Sequence, residues 1–251
     1  NNKSTKILDR QGRLLYEIFV DKNYDPVSLE QIPEHVTAAT LAIEDANFYN
    51  HFGVSPIGII RAAKNTLVKG ELQGGSTITQ QLVKNVLLNP ERTISRKTKE
   101  IIVALMVEGA YTKDEILEMY LNNISYGGTA WGIQAASQKF FGKNVTDLSL
   151  AEASFLAGLP SAPSTYSPFS GGEEASKARQ KQVLQRMVDL GVISKLEANR
   201  AVVEDLFFAP QTEYIRAPHF VNYVRDQLEE EFGKRLVNLG GLTVTTSLDL
   251  D

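Results

Sequence analysis

Residues 44–53 read EDANFYNHFG, a segment that packs two acids, aromatic rings and a histidine into three turns' length of chain. On a helix, Glu44, Phe48 and His51 are spaced by four and three and share a face, with Asp45 turned about 100° away. A carboxylate beside an aromatic ring loses hydration. Its pKa then rises, which suits it to accept a proton near neutral pH. Read alone, the ten residues favour a plainer account: a solvated Glu44, a core Phe48, and a His51 that balances the helix C-terminal dipole.

A second segment, GGSTITQQLVKN at 74–85, frees the backbone with two glycines just before a capped helix start. Exposed N–H groups and the helix dipole favour an anion there. Along the expected helix Thr77, Gln81, Lys84 and Asn85 make a polar stripe opposite Ile78, Leu82 and Val86. A hydroxyl, amides and an ammonium could serve one ligand, or simply a wet face. In the third segment, SRKTKEIIVALMVE, the bases Arg96, Lys97 and Lys99 occupy a helix's first turn, where cations oppose the macrodipole. Glu100, four residues after Arg96, partners one of them. A bound anion would relieve the surplus, as would side chains splayed into water.

These segments sit in a basic stretch, Arg61, Lys64, Lys69, Lys84, Arg92, Arg96, Lys97 and Lys99 against only Glu71 and Glu91, inside a chain of net charge -4. That suits the polar edge of an anionic membrane or a phosphorylated ligand, and the acidic whole gives no sign of nucleic acid. No cysteine is present, which removes disulfides, thiolate catalysis and cysteine-held zinc. The histidines, His35, His51 and His219, form no HExxH pattern, so a zinc site is not expected.

The elements that must position these residues are mostly helical. Alternation on both sides of DRQG predicts a hairpin at the start, and GGLTVTTSLDLD predicts a strand that stops where a pairing partner should follow. Pro33 suits a first helical position, with Val36, Thr40, Ile43 and Asn47 marking turns and Gly53 the stop. Capping boxes predict helix starts at Thr77 with Gln80, Ser149 with Glu152 and Ser194 with Glu197. Four further helices are expected in SRKTKEIIVALMVEGAY, KDEILEMYLNN, AWGIQAASQKFFGK and EASKARQKQVLQRMVDLG. The segment LPSAPSTYSPFSGG reads as a surface loop. With 251 residues and 43% apolar content the chain can bury a real core, and the fold class is mainly α.

Taken together, EDANFYNHFG, GGSTITQQLVKN, RKTKE, KDEILEMYLNNISYGG and LSLAEASFLAGLPSAPSTYSP resemble the motif series of the peptidoglycan glycosyltransferases, the N-terminal catalytic module of class A penicillin-binding proteins. The resemblance runs from about residue 5 to about residue 205, with the blocks in the family's order. It implies a lysozyme-like helical fold and polymerisation of lipid II into a β-1,4 glycan with inversion, releasing undecaprenyl pyrophosphate. By motif match Glu44 would be the general base and Glu100 the second essential catalytic carboxylate, organising the cations or an ion near the pyrophosphate. Asp45, Phe48, His51, Ser76, Thr77, Gln81, Lys84, Asn85, Arg92, Arg96 and Lys97 would contact sugar and phosphate. No tightly bound cofactor is implied, and a divalent cation, Mg or Mn, at Glu44, Asp45 or Glu100 is left open because carboxylates alone give no coordination geometry. Implied partners are lipid II, the growing lipid-linked glycan, the membrane surface and a phosphoglycolipid inhibitor. The place of action would be the extracytoplasmic face of the bacterial cytoplasmic membrane.

Residues 1–205 are expected to form the glycosyltransferase domain, and 206–251 a linker with the start of a transpeptidase module whose SxxK serine does not occur here. The chain is accordingly expected to be an excerpt, without the membrane helix that the family normally carries. Two rivals stand beside the transferase. Two acids on a lysozyme-like fold could cleave glycan, and a scaffold that only binds cell-wall lipid would need neither Glu44 nor Glu100.

Overall fold

The computed structural model describes residues 5–18, 26–55, 75–86, 94–128, 130–210, 216–239 and 241–250. Helices dominate. The hairpin forms as predicted, with β1 (Thr5–Leu8) antiparallel to β2 (Leu14–Ile18). Its turn is held by Asp9, which accepts from the backbone N–H groups of Gln11 and Arg13 and from the Arg13 side chain, while Gly12 takes the positive φ of 82°.

The first helix, α1 (Glu34–Glu44), begins one residue after Pro33, which is its N-cap and not its first helical residue, and stops at Glu44, nine residues before the predicted stop at Gly53. Asp45 leaves helical geometry (φ -157°, ψ 75°), and Phe48–Asn50 form a separate 3-10 turn. Asp45 is engaged far away in sequence: its Oδ2 accepts from the Ile78 backbone N–H at 3.0 Å, at the start of α2 (Ile78–Val86).

Next come α3 (Ile94–Ala110) and α4 (Lys113–Asn123), then a small hairpin of β3 (Ser125–Gly127) and β4 (Ala130–Trp131). α5 (Ile133–Phe141) and α6 (Leu150–Gly158) follow. The predicted surface loop that comes after them contains a short helix, α7 (Pro163–Tyr166), started by Pro163 in its first turn. α8 (Glu173–Asp189) and α9 (Lys195–Val203) complete the helical body. The three predicted capping boxes form: Thr77 with Gln80, Ser149 with Glu152, and Ser194 with Glu197.

The main core gathers Phe48, Ile78, Ile116, Tyr120, Tyr126, Ile133, Phe140 and Phe155 from α1's exit through α6. A second cluster, small residues of α1 and α6 against Val183, Leu184 and Met187 of α8, locks α8 across the back of α1. That pairing places the Arg179 turn of α8 beside Glu44.

A third cluster joins the hairpin to α10 (Pro218–Leu239), a helical run that no sequence signal singled out and that breaks at Gly233 (φ 80°). The predicted C-terminal strand, β5 (Thr243–Thr245), does have a partner: it lies parallel to β1, giving a sheet of order β2-β1-β5. Asp249 reinforces the join by pairing with Arg10 and Arg13.

Candidate active site

Glu44 ends α1 with its two oxygens in different surroundings. Oε2 accepts from Gln81 Nε2 of α2 at 2.7 Å, whereas Oε1 is buried without a hydrogen-bond partner among the described residues. Burial lifts the Glu44 carboxyl above its ordinary range. The Gln81 hydrogen bond and the positive charges of Arg179 and Lys84 restrain that rise, and the charge of Asp45 adds to it. The rings whose groups feel the Glu44 charge are Tyr120 of α4 and Tyr126 of β3. Tyr120 donates to Gln81 Oε1 at 3.3 Å, and the Tyr126 hydroxyl is buried without a hydrogen-bond partner among the described residues.

The single helical face expected for Glu44, Phe48 and His51 does not exist, because the helix ends at Glu44. Phe48 turns into the main core, its ring edge-on to His51 and beneath the Lys113 ammonium, 4.4 Å from the centroid. His51 Nε2 lies 2.9 and 3.0 Å from the two Asp45 oxygens. Asp45 is thus occupied by His51 and the α2 N-terminus, and Thr77 is occupied too, its hydroxyl donating to the Gly53 carbonyl at 2.7 Å. Gly53 must be glycine on two counts: φ is 73°, and a Cβ would meet Glu108 Cγ at 3.0 Å and the Ala104 carbonyl oxygen at 3.2 Å.

Asp45, His51 and Thr77 therefore build the frame that holds the start of α2 against the end of α1 and the segment around Gly53 that packs on α3. Replacing Asp45 by Ala strands a buried N–H and the His51 ring, so we expect a loss of roughly 2 kcal/mol, read as a melting point lower by about 4–8 °C. An unchanged melting point would mean that the Asp45 bonds do not hold this frame.

The cation group assembles where α3 begins. Glu100 is 2% exposed and accepts from Arg96 Nη1 at 3.0 Å and from Lys97 Nζ, so the pairing expected from the i,i+4 spacing is present. Lys97 Nζ also donates to Ser76 Oγ at 3.1 Å. Ser76 leads into α2, and Gln81 lies farther along the same helix. α2 is therefore the bridge: its leading residue touches the cation group, and its middle touches the acid. Lys84 is exposed on that helix and Asn85 half-buried, whereas Arg92 lies outside the described residues. Glu108 ties the frame together below, taking the Thr79 hydroxyl and the Lys113 ammonium.

The arrangement can do two things at once. One end offers a desolvated carboxylate oxygen able to take a proton; the other offers fixed positive charge to an anion. Among the described residues no group of three or more His, Asp and Glu side chains gathers to hold a metal ion, and Glu44, Asp45 and Glu100 each answer to different protein partners.

The transglycosylase family pattern matches residues 11–188, well over half of the chain and every residue just described. The chain belongs to the transglycosylase family. This transglycosylase is 41% identical over 250 residues to penicillin-binding protein 1A of Aquifex aeolicus (strain VF5), covering 99% of this chain and 34% of that one. It is 42% identical over 245 residues to penicillin-binding protein 1A of Escherichia coli (strain K12), covering 96% and 28%. A crystal structure of penicillin-binding protein 1A from Haemophilus influenzae is similar at 25% identity and a TM-score of 0.49, over 99% of this chain and 27% of that one. The transglycosylase thus spans about a third of the length of the relatives it matches. The family match and the relatives bear out the resemblance to the glycosyltransferase module of class A penicillin-binding proteins.

Sequence reasoning missed Arg179, Tyr120 and Tyr126. Arg179 lies 135 positions from Glu44 in a helix segment, SKARQKQ, that reads as a solvated face. Its guanidinium binds the Gly158 carbonyl at 3.2 Å and Ser161 Oγ at 3.0 Å, and lies over Tyr166. For Tyr120 the usable signal was a buried-type position carrying a hydroxyl that needs a partner, which it finds in Gln81.

Proposed function

We propose that this transglycosylase polymerises lipid II: the C4 hydroxyl of one disaccharide attacks C1 of another that is held through undecaprenyl pyrophosphate, giving a β-1,4 glycan with inversion. The observation that carries this reading is the pairing, through α2, of a Glu44 Oε1 that has no partner among the described residues with the Glu100-held cations. Glu44 takes the proton of the attacking hydroxyl as the new C–O bond forms. A diphosphate leaves with its own charge, so it needs neutralisation more than a proton donor, and Arg96, Lys97 and Lys84 supply that. A glycosidase would instead need a second acid poised to protonate its leaving oxygen. Glu100, bound between two cations, is not so poised.

The membrane surface is the implied place of work. Ile102, Leu105 and Met106 of α3 are exposed, at spacings of three and one that share a helix face with Gly109, and Phe52 is exposed next to Gly53, which packs on Ala104. An apolar stripe on a helix whose first turn is cationic suits an anionic bilayer interface. No helix among the described residues is long and apolar enough to cross a membrane. Labelled lipid II in detergent, followed by sizing of the products, tests the reading. Long glycan chains are expected; shortening of preformed glycan with no use of lipid II would favour cleavage instead.

A further inference from the structure

We propose that Tyr120 is a positioning residue for Glu44 that acts through Gln81, its buried phenol fixing which end of the Gln81 amide faces the carboxylate. The inference rests on the general-base reading of Glu44. A glutamine side chain is nearly symmetric in shape but has an acceptor at one end and donors at the other. Rotated by half a turn, Gln81 would present Oε1 to Glu44, which an ionised carboxylate repels and a protonated one tolerates. The observed orientation is the one an ionised carboxylate favours, and a second contact at the acceptor end of the amide fixes it.

Tyr120 holds it. The residue is 0% exposed, and the hydrogen bond its hydroxyl makes among the described residues is the donation to Gln81 Oε1 at 3.3 Å. With the amide reversed, that O–H would face nitrogen and be left as a buried donor without an acceptor. Burial and the charges of Glu44, Tyr126 and Asp45 push the Tyr120 phenol well above its ordinary pKa, so it remains a donor throughout the working range. The outcome is an asymmetric carboxylate: Oε2 is occupied by Gln81 Nε2, and Oε1 is the oxygen left for the substrate proton. The groups facing Glu44 are Asp45 beside it, Gln81 and Lys84 of α2, Tyr120 of α4, Tyr126 of β3 and Arg179 of α8. Tyr120 alone of these bonds to the acceptor end of the amide.

The test is Tyr120→Phe, which removes one oxygen and keeps the ring that fills the core. Polymerisation of lipid II should show kcat lower by roughly fivefold at neutral pH with KM unchanged. The acid limb of the kcat profile should move to higher pH, since a less fixed Gln81 donor stabilises the carboxylate less. In a Gln81→Ala background the same change should be silent. Independently of turnover, the infrared C=O band of the protonated carboxyl, identified by its loss in Glu44→Gln, should persist to higher pH in Tyr120→Phe. A wild-type kcat profile and band for Tyr120→Phe, with Glu44→Gln inactive, overturns the proposal. So does an equal loss in the Gln81→Ala background, which would make the hydroxyl's effect direct or merely structural. Full turnover by Glu44→Gln would instead overturn the base assignment, and the infrared titration would still decide the coupling among the three side chains.

Discussion

Glu44→Gln should lower kcat at least about 10²-fold, the loss that removal of a general base produces, with the fold and the KM for lipid II retained. The substitution keeps the shape of the side chain, and its amide oxygen can still accept from Gln81 Nε2, so the end of α1 has no reason to move. What disappears is the proton-accepting power of Oε1. The wild-type rate should fall as pH drops through the Glu44 pKa, because protonation abolishes the base. Burial places that midpoint above the ordinary 4.5 of a glutamate. The variant's residual rate should not follow that limb. Steady-state kinetics across pH, with circular dichroism to check the fold, decides the matter. Near-normal turnover would remove Glu44 from the role.

Glu100→Gln should be of similar size but of different character. Glu100 takes Arg96 on one oxygen and Lys97 on the other, so loss of its charge releases two cations together and turns an amide NH2 toward one of them. Both cations are partly in contact with water, 20% and 43% exposed in their side chains, and solvent can take up part of the cost. We therefore expect a modest stability loss but a fall in kcat/KM of about 10²-fold, with KM raised as well as kcat lowered. Lys97 would also lose the position from which it reaches Ser76. Measured kcat and KM on lipid II give the answer, and unchanged kinetics would mean that Arg96 and Lys97 need no anchor.

Local signals were readable in the chain. The pairs Thr77 with Gln80, Ser149 with Glu152 and Ser194 with Glu197 are three residues apart, and each marks a helix start in the structure. The Arg96–Glu100 pair is equally local, four residues apart on α3. Long-range hydrogen bonds were not readable. Nothing in EDANFYNHFG says that Asp45 will cap a helix 33 residues later, or that α1 will end at Glu44 and leave Phe48 and His51 off its face. The β1–β5 pairing joins residues at opposite ends of the chain, and Thr243–Thr245 alone cannot name its partner. α10 escaped notice because its apolar positions divide between two pieces turned relative to one another at Gly233. Arg179 was hidden for the same reason as Asp45: its importance comes from what α6 and α1 bring beside it.

The helix that starts with Arg96 and Lys97 exposes its apolar stripe from Ile102 onward, five residues later, or about 8 Å along the axis at the usual rise. Were that stripe seated in the acyl boundary, as the proposed function has it, such a rod would work as a depth gauge. The greasy part would set how far the protein sinks, and the charged tip would thereby be kept at the altitude where lipid phosphates float. A donor arriving by lateral diffusion would meet its counter-charges without being hoisted out of the bilayer.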